Sequence, residues 1–241
     1  MAEPLLTLDG VHTHIGPYHI LQGVSLTVPQ GGVSVLLGRN GAGKTTTLRT
    51  IVGLWRASRG EVRFDGRDIT QLDTPSIARA GIAYVPENMG IFTDLTVAEN
   101  MALAATSGPI DAKRLSWVQD LFPPIRNFWN SSAGTLSGGQ KQMLAVSRAI
   151  IEPRRLILID EPTKGLAPAI IVAMTDALRQ LKETETTILL VEQNFAMASS
   201  LGDTVAVMDD GRIVHAGDMA TLVADPGLQE RLMGLSLEAH Q

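Results

Sequence analysis

One eight-residue stretch, 38–45, constrains this chain more than any other part of its sequence. It fits the phosphate-loop pattern G-x-x-x-x-G-K-[ST], follows an apolar run at 33–37 and precedes a helical pattern that stops at Gly53. In this order of strand, loop and helix, glycines let backbone N–H groups surround a phosphate, and the helix start adds unpaired donors. The stretch therefore predicts nucleotide binding, with Lys44 bridging the β- and γ-phosphates and the Thr45 hydroxyl ligating Mg²⁺. The loop residues expected at the nucleotide are Gly38, Asn40, Gly41, Gly43, Lys44, Thr45 and Thr46.

Composition narrows the classes of partner. The 241 residues carry a net charge of -5, and the 20 lysines and arginines are scattered, so no nucleic acid partner is expected. The chain has no cysteine, which excludes disulfides and thiolate metal sites and suits a reducing cytosol. No apolar run is long enough for a membrane span, and the first residues lack the features of a secretion signal. Any membrane role is therefore expected to come through a partner.

The hydrophobic pattern predicts an α/β fold with two kinds of sheet. Short alternating runs between residues 5 and 37, followed by an Asp65-Gly66 hairpin turn, predict an N-terminal antiparallel β layer. Unbroken apolar runs at 156–159 and 186–191 predict buried parallel strands with helices on both faces. Mostly helical spacing then predicts a helical subdomain, at about 88–151, inserted in a single domain that spans residues 1–241.

Three smaller features complete the predicted fold. A short helix is expected at 75–81, with Thr74 as its N-cap and a proline in its first position. A second turn, Asp210-Gly211, predicts another hairpin late in the chain. From Ala216 onward, surface helices are expected to close the domain.

Three histidines, His12, His14 and His19, cluster near the N-terminus. On a strand, His12 and His14 would share one face, so a metal site has to be considered. That interpretation is disfavoured, because no carboxylate or further ligand is spaced to complete the site.

Two acidic residues, Asp160 and Glu161, follow the buried strand predicted at 156–159. Ligands of open parallel sheets bind beyond the carboxyl ends of the strands, where these residues fall. Asp160 could hold Mg²⁺ beside the phosphate loop, and Glu161 could position and deprotonate an attacking water. The alternative is a pair of surface acids that cap a strand. The phosphate loop makes the catalytic role the favoured one.

A second helix start also contains glycines. Ser137 and Gln140 have the spacing of a capping box, and the helix that follows ends before Pro153. Gly138 and Gly139 each weaken a helix by up to about 1 kcal/mol, a cost that close approach of an anion would explain. The simpler alternative is a well-capped helix. A second helix start suited to binding a phosphate suggests that two chains enclose each nucleotide between them.

Three stretches, 38–45, 136–140 and 156–161, resemble in order and spacing the phosphate loop, signature motif and Mg²⁺/base strand of the ATP-binding-cassette ATPase family. The resemblance covers essentially the whole chain. It implies a RecA-like P-loop core, ATP and Mg²⁺ as cofactors, and a head-to-tail dimer in which the signature motif reaches the γ-phosphate bound by the other subunit. The signature residues so implied are Ser137, Gly138, Gly139 and Gln140.

Three further stretches, 84–88, 160–168 and 190–194, are similar to the branched-chain amino-acid importer subgroup of that family. The similarity implies an ATPase subunit that drives a membrane importer. Its partners would be integral membrane permease subunits, an identical or different second ATPase subunit and, indirectly, a solute-binding protein. Its location would be cytoplasmic and peripheral on the inner face of the cell membrane. Urea, short amides and organic acids are alternative cargoes, and the motifs alone leave export open.

The same stretches depart from the broad family pattern. Glu87 stands where most relatives have a Gln that contacts Mg²⁺ and water, and Gln193 stands where they have a His that senses the γ-phosphate. The resemblance therefore implies catalytic roles for both, and a metal contact for Glu87. Ala167 replaces the usual Asp of the loop that crosses the dimer. Ile15 takes the place of the aromatic residue that stacks on adenine, so either Tyr18 or aliphatic contact would hold the base.

Two other classes of function compete with transport. A soluble ATPase of this family, acting in repair or translation, would usually carry coiled-coil inserts or a second cassette, and neither is present. A nucleotide-dependent binding module without turnover would lack Glu161 or the signature glycines, which this chain has.

A short segment of the insert carries four apolar residues and few charges: Met89, Ile91, Phe92 and Leu95. The family resemblance implies a groove here that receives a cytoplasmic helix of the membrane subunit. The alternative is that these residues only fill the core of the insert.

Overall fold

A computed structural model of the chain describes residues 4–106, 108–184 and 186–233. The strands are β1 (Pro4–Ile15), β2 (Tyr18–Pro29), β3 (Val33–Gly38), β4 (Ala57–Phe64), β5 (Arg67–Asp68), β6 (Ile82–Val85), β7 (Leu156–Asp160), β8 (Thr187–Glu192), β9 (Thr204–Asp209) and β10 (Arg212–Asp218). The helices are α1 (Lys44–Ile51), α2 (Thr74–Arg79), α3 (Val97–Ala104), α4 (Ala112–Leu121), α5 (Pro123–Asn127), α6 (Gly138–Ile150), α7 (Pro168–Lys182), α8 (Phe195–Leu201), α9 (Met219–Ala224) and α10 (Pro226–Met233). A short 3₁₀ helix, Ala133–Thr135, precedes α6.

The N-terminal strands form the predicted antiparallel layer, a four-stranded sheet in the order β2-β1-β4-β5. The Asp65-Gly66 hairpin is confirmed, since both residues have the positive φ angles, 51° and 71°, that a tight hairpin turn requires. Strands β1 and β2 are longer than the short runs in the sequence suggest. Register shifts at several points along the pair interrupt the alternation of apolar and polar residues, which explains the difference.

The second sheet has six strands in the order β10-β9-β3-β8-β7-β6, and β3, β6, β7, β8 and β9 are parallel. The predicted Asp210-Gly211 hairpin is confirmed, and it adds β10 antiparallel to β9. The expectation of helices from Ala216 onward is wrong at its start. Residues 216–218 pair with β9 as the end of β10, and α9 begins at Met219.

Alternate residues of the central strands face two separate cores. On β3 and β7, Val35 and Ile159 belong to one apolar cluster, whereas Leu36 and Leu158 belong to the other. The first cluster contains the buried residues of α3 to α9, and the second contains those of α1, α2 and the antiparallel sheet. A strand buried on both faces has no polar positions to alternate with. This accounts for the unbroken apolar runs in the sequence.

Helices α3 to α6 occupy the stretch predicted to be a helical insert. Their buried residues, such as Met101 and Ile125, pack into the same cluster as Val35 of the central sheet, so this stretch shares its core with the rest of the fold. The assignment of 88–151 as a subdomain within one domain stays a prediction. Among the described residues, no helix is both long and apolar enough to cross a membrane.

The short helix expected at 75–81 forms as α2, but its N-cap is Asp73 and not Thr74. The Asp73 carboxylate accepts a hydrogen bond from the Ser76 backbone N–H at 3.0 Å. That bond requires the residue three positions before Ser76, which makes Thr74 the first residue inside the helix.

Candidate functional site

Helix α1 begins at the phosphate loop without a capping side chain. Its N-cap, Gly43, has a left-handed φ of 109°, and no side chain accepts a hydrogen bond from the first turn. A Cβ atom on Gly43 would also lie 3.1 Å from Leu21 and 3.2 Å from the Met208 sulfur. Glycine is therefore needed here for its backbone conformation and for close packing. The uncapped first turn leaves its N–H groups available to an anion.

Lys44, the first residue of α1, is buried and folds back over the loop. Its ammonium group donates to the carbonyl oxygens of Gly38 at 2.8 Å and Arg39 at 3.0 Å. It also lies 3.3 Å from a carboxylate oxygen of Glu161. These contacts place one positive charge between the phosphate loop and the Glu161 carboxylate, which follows β7.

Asp160, the last residue of β7, is buried and holds two hydrogen bonds. The hydroxyl groups of Thr45 and Tyr84 each donate to one of its carboxylate oxygens at 3.2 Å. Burial raises the pKa of Asp160, although both hydrogen bonds act in the opposite direction. Burial and then the charge of Asp160 raise the pKa of Tyr84 to about 12, so Tyr84 stays a neutral donor.

The donor set around Asp160 fits Mg²⁺. The Thr45 hydroxyl and the Asp160 carboxylate are hard oxygen donors already in contact with each other, and Mg²⁺ takes only one or two protein carboxylates beside substrate phosphates and water. In the described parts of the chain, no group of three or more His, Cys, Asp or Glu side chains could hold a metal ion on its own. A metal at this position would therefore depend on the phosphates as further ligands.

Glu161 has an unusual backbone for a residue with a side chain, with a φ of 47°. Its N–H donates to the Val191 carbonyl oxygen of the neighbouring strand at 2.9 Å, which helps to hold this conformation. Burial works to raise the pKa of Glu161. The hydrogen bond from Gln193 and the charges of Lys44 and Lys164 outweigh burial, so the pKa is lowered and the carboxylate is ionised.

Gln193 joins the carboxylate to the phosphate loop. Its amide nitrogen lies 2.6 Å from a Glu161 oxygen and 2.7 Å from the side-chain oxygen of Asn40. The predicted catalytic residue Gln193 thus orients both a loop residue and the expected base.

Lys164, to which the sequence assigned no role, completes a row of side chains at the site. Its ammonium group lies 2.6 Å from Glu87, which follows β6, and 3.5 Å from Glu161, which follows β7. Contacts therefore run from Asn40 through Gln193, Glu161 and Lys164 to Glu87, in the lateral order β3, β8, β7, β6. The structure brings the predicted residues Glu87, Glu161 and Gln193 together at one edge of the sheet.

Glu192 is a second residue that the sequence did not single out. This buried carboxylate accepts hydrogen bonds from the Thr163 hydroxyl at 2.7 Å and N–H at 3.2 Å, and from the N–H groups of Gln193 and Asn194 at 3.0 and 3.1 Å. It therefore ties the loop after β7 to the loop after β8. A carboxylate that ends an otherwise apolar strand was the signal that could have revealed it.

The second helix start has the predicted capping box. Ser137 is the N-cap of α6, its hydroxyl accepts from the Gln140 N–H at 3.3 Å, and the Gln140 side chain accepts from the Ser137 N–H at 2.9 Å. A Cβ atom on Gly139 would lie 2.7 Å from Ile170 of α7, so packing explains that glycine without an anion. Gly138 and Ser137 are exposed, and a Cβ atom on Gly138 would have nothing within 4 Å. The anion argument therefore applies to Gly138 alone. It does not need Gly139.

Ile15 and Tyr18 face each other across the turn between β1 and β2. Ile15 shares a strand face with Thr13, whose hydroxyl lies 3.1 Å from that of Thr50 in α1. The pair therefore lies on the side of the hairpin that faces the phosphate-loop helix, and the Tyr18 ring is exposed.

The three histidines lie together on the other face of the same hairpin. A ring nitrogen of His12 is 2.9 Å from one of His19, and the rings of His14 and His19 stack with centroids 4.2 Å apart. Stacked rings direct their nitrogens side by side, whereas metal ligands have to converge on one point. The cluster packs as an aromatic stack at the surface.

A groove of about 700 Å³ lies beside β6, between α2 and α6, and Met89 and Arg148 line it. Of the four apolar residues predicted near it, only Phe92 is exposed; Met89, Ile91 and Leu95 are half-buried. Met89 and Ile91 pack against the core, so filling the insert is part of their role. Phe92 lies under the Arg148 guanidinium, 5.1 Å from it, at the surface.

Comparisons with known proteins find relatives of this chain along most of its length. Residues 21–164 match a family model described as ABC transporter. The chain is 38% identical over 232 residues to the high-affinity branched-chain amino acid transport ATP-binding protein BraG of Pseudomonas aeruginosa, covering 95% of this chain and 100% of that protein. It is 35% identical over 220 residues to a probable branched-chain amino acid transport ATP-binding protein, LivF, of Archaeoglobus fulgidus, covering 90% and 93%. A solved structure of an ATP-binding subunit of an ABC transporter superposes with a TM-score of 0.79 at 29% identity, covering 97% of this chain and 96% of that one.

Proposed function

This chain belongs to the ABC transporter family and is the ATP-hydrolysing subunit of an importer, and we propose that its cargo is branched-chain or other hydrophobic amino acids. The observation that carries this proposal is the similarity to two proteins named for branched-chain amino acid transport over at least 90% of the chain. Urea, short amides and organic acids are the alternative cargoes, and the test below compares leucine with urea.

The phosphate loop and the residues after β7 supply the chemistry. We propose that Lys44 and the free N–H groups of the first turn of α1 bind the phosphates, and that Thr45, Asp160 and Glu87 hold Mg²⁺. The metal would neutralise charge on the phosphate oxygens. Glu161, ionised and oriented by Gln193, accepts a proton from the water that attacks the γ-phosphate. The adenine would rest on the Ile15 and Tyr18 pair.

A second ATPase subunit would complete each site. The exposed start of α6, with Ser137 and Gly138 at its tip, offers N–H groups to an anion outside its own chain. In a head-to-tail dimer it would reach the γ-phosphate held by the partner's phosphate loop. Because Ala167 caps α7 without a side-chain hydrogen bond, the loop that crosses this dimer would make its contacts through backbone groups.

Permease subunits in the membrane are the partners that an importer subunit requires, and we place their docking site at the groove beside Phe92. The groove is lined by apolar residues and by Arg49, Arg148 and Arg154, which suits an amphipathic helix with an acidic end. A chain docked there lies on the inner face of the membrane, and a solute-binding protein would deliver cargo to the opposite face. Met89 and Gly90 at the groove's edge follow Glu87 closely in sequence. Binding of nucleotide and metal at Glu87 can therefore change the contacts between this chain and the permease.

The test of this function follows the permease and the cargo. A tagged chain isolated from detergent-solubilised membranes should bring down integral membrane proteins, and cells that lack the gene should lose uptake of labelled leucine but retain uptake of urea. Phe92→Glu should abolish both copurification and leucine uptake while the purified chain still binds ATP, because it places a charge in an apolar contact.

Val214→Glu is the matched control, because Val214 on β10 is 52% exposed and Phe92 is 49% exposed. The control should leave copurification and uptake unchanged. Normal leucine uptake in Phe92→Glu cells would refute the docking site, and loss of urea uptake with intact leucine uptake would refute the proposed cargo.

A further inference from the structure

Two carboxylates from different loops converge on one ammonium group at the edge of the site. The Lys164 ammonium lies within 2.6 Å of Glu87 and 3.5 Å of Glu161. The Glu161 side chain is only 7% exposed and also faces Lys44, whereas the Lys164 side chain is 53% exposed. The arrangement therefore differs from an ordinary surface pair: one end is fixed in the buried site, and the cation itself can move into solvent.

The backbone around Lys164 is held in place independently of this ion pair. Its N–H donates to the Glu161 carbonyl oxygen at 3.2 Å, which closes a turn, and the preceding Thr163 is bound by Glu192. Gly165 follows with a left-handed φ of 71°. The turn brings the Lys164 side chain toward Glu161, with about half of that side chain exposed to solvent.

We propose that Lys164 is a positioning cation of the nucleotide site, which holds Glu87 and Glu161 together and releases Glu87 to the metal when metal and nucleotide bind. The inference rests on the proposed function, because it assigns Glu87 to Mg²⁺. Lysine suits this exchange because its charge is carried at the end of a long, flexible side chain. Without it, two carboxylates would face each other and the incoming triphosphate with Lys44 as the nearest counter-charge.

The consequence is a coupling between nucleotide and metal. In the absence of Mg²⁺, Lys164 neutralises part of the carboxylate charge that repels the phosphates. In its presence, Glu87 contacts the ion and the lysine is no longer needed. The quantity to measure is therefore the ratio of the Kd without Mg²⁺ to the Kd with Mg²⁺, because a merely structural ion pair would change both constants by the same factor.

The experiment measures equilibrium binding of AMP-PNP, a non-hydrolysable ATP analogue, to the full chain in EDTA and in excess Mg²⁺, with thermal unfolding of each variant alongside. Lys164→Met should raise the ratio about three- to fivefold, mainly by weakening metal-free binding, as expected for loss of one partly exposed ion pair. Lys164→Arg should keep the wild-type ratio. In a Glu87→Gln background, Lys164→Met should leave the ratio unchanged, because the charge that passes between Lys164 and the metal is gone and the remaining contact with Glu161 affects both Kd values alike. Lys113→Met on α4, which also removes one positive charge, is the control and should have no effect.

A ratio within about 1.5-fold of wild type in Lys164→Met, or an equal rise in Lys164→Arg or Lys113→Met, overturns the inference. Its failure can be told apart from failure of the proposed function. If wild type does not bind AMP-PNP, or Lys44→Ala binds it equally well, the nucleotide site itself has been assigned wrongly. If both behave as expected and only the ratio stays constant, Lys164 alone has been misassigned.

Discussion

The two glycine-containing helix starts of this molecule differ in how they are completed. At α1, Gly43 leaves the first turn uncapped, and Lys44 behind it is buried against the loop carbonyls and Glu161. At α6, the capping box of Ser137 and Gln140 satisfies part of the first turn, and the tip is exposed. The first start is surrounded by side chains of its own chain. At the second start, close packing requires the glycine at Gly139, whereas a Cβ atom on Gly138 would have no neighbour within 4 Å.

A helix start with free N–H groups is therefore not by itself a phosphate-binding site. The start of α1 is surrounded by Asp160, Glu161 and Gln193 from the neighbouring strands, so the side chains to which we assign positioning and proton transfer lie beside it in the same chain. The start of α6 has only backbone donors to offer. It can contribute to a site, but another surface has to bring the phosphate.

The largest expected effect separates binding from hydrolysis at the first start. Glu161→Gln should lower ATP turnover by about 10²–10⁴-fold, because the amide retains the size of the side chain but cannot accept a proton. MgATP affinity should change little, since Lys44, Thr45 and Asp160 remain. Phosphate release and equilibrium nucleotide binding measure the two effects, and Glu230→Gln on α10 is the control. Turnover within about threefold of wild type would remove Glu161 from the role of base.

The next prediction tests whether the second start acts on another chain. Ser137→Arg and Glu161→Gln chains should each be inactive alone, whereas their mixture should recover partial activity. A mixed dimer has one site with both Glu161 and Ser137 intact, so activity of at most about half of wild type is expected if one site suffices.

The matched control places both substitutions in one chain and mixes it with wild type, and in both mixtures the mixed dimers are isolated through two different tags so that homodimers do not contribute. The mixed dimers of the control contain no intact site. Light scattering of the Glu161→Gln chain with ATP reports dimer formation. If no dimer forms with either an identical or a different ATPase chain, or if the control mixture recovers equally, the two starts do not meet across an interface.

The parts of the fold and of the site that could be predicted from sequence are those that depend on local patterns. The phosphate loop, the Asp-Gly hairpins, the capping box and the apolar strands ending in Asp160 each depend on residues within a few positions of one another. Glu161 could be assigned a role, but its positive φ could not, because the hydrogen bond to Val191 that holds it comes from another strand.

Contacts between loops could not be predicted in the same way. Lys164 and Glu87 are 77 residues apart, and Gln193 and Asn40 are 153 apart. They meet because β3, β8, β7 and β6 are neighbours in that order, which hydrophobic periodicity does not encode. The same periodicity failed at residues 216–218, where strand pairing with β9 overrides a helical interpretation.

The smallest expected effect concerns the free energy of unfolding of the chain, which substitutions at the two helix starts should change in opposite directions. Burial raises the pKa of Asp160 above its ordinary value of 3.8. The folded chain therefore loses stability as the pH rises from 3.8 to the raised pKa, because the buried group ionises over that range. Asp160→Asn should therefore stabilise the nucleotide-free chain by about 1 kcal/mol at pH 7, since the amide can still accept from Thr45 and can donate to Tyr84. The gain should be constant above the raised pKa and shrink as the pH is lowered toward 3.8.

Ser137→Ala should instead destabilise the chain by about 1 kcal/mol at every pH, because it removes an uncharged N-cap. Urea unfolding in EDTA across a pH series measures both. A gain for Asp160→Asn that does not vary with pH would mean that packing, and not the buried charge, sets the stability of the first start.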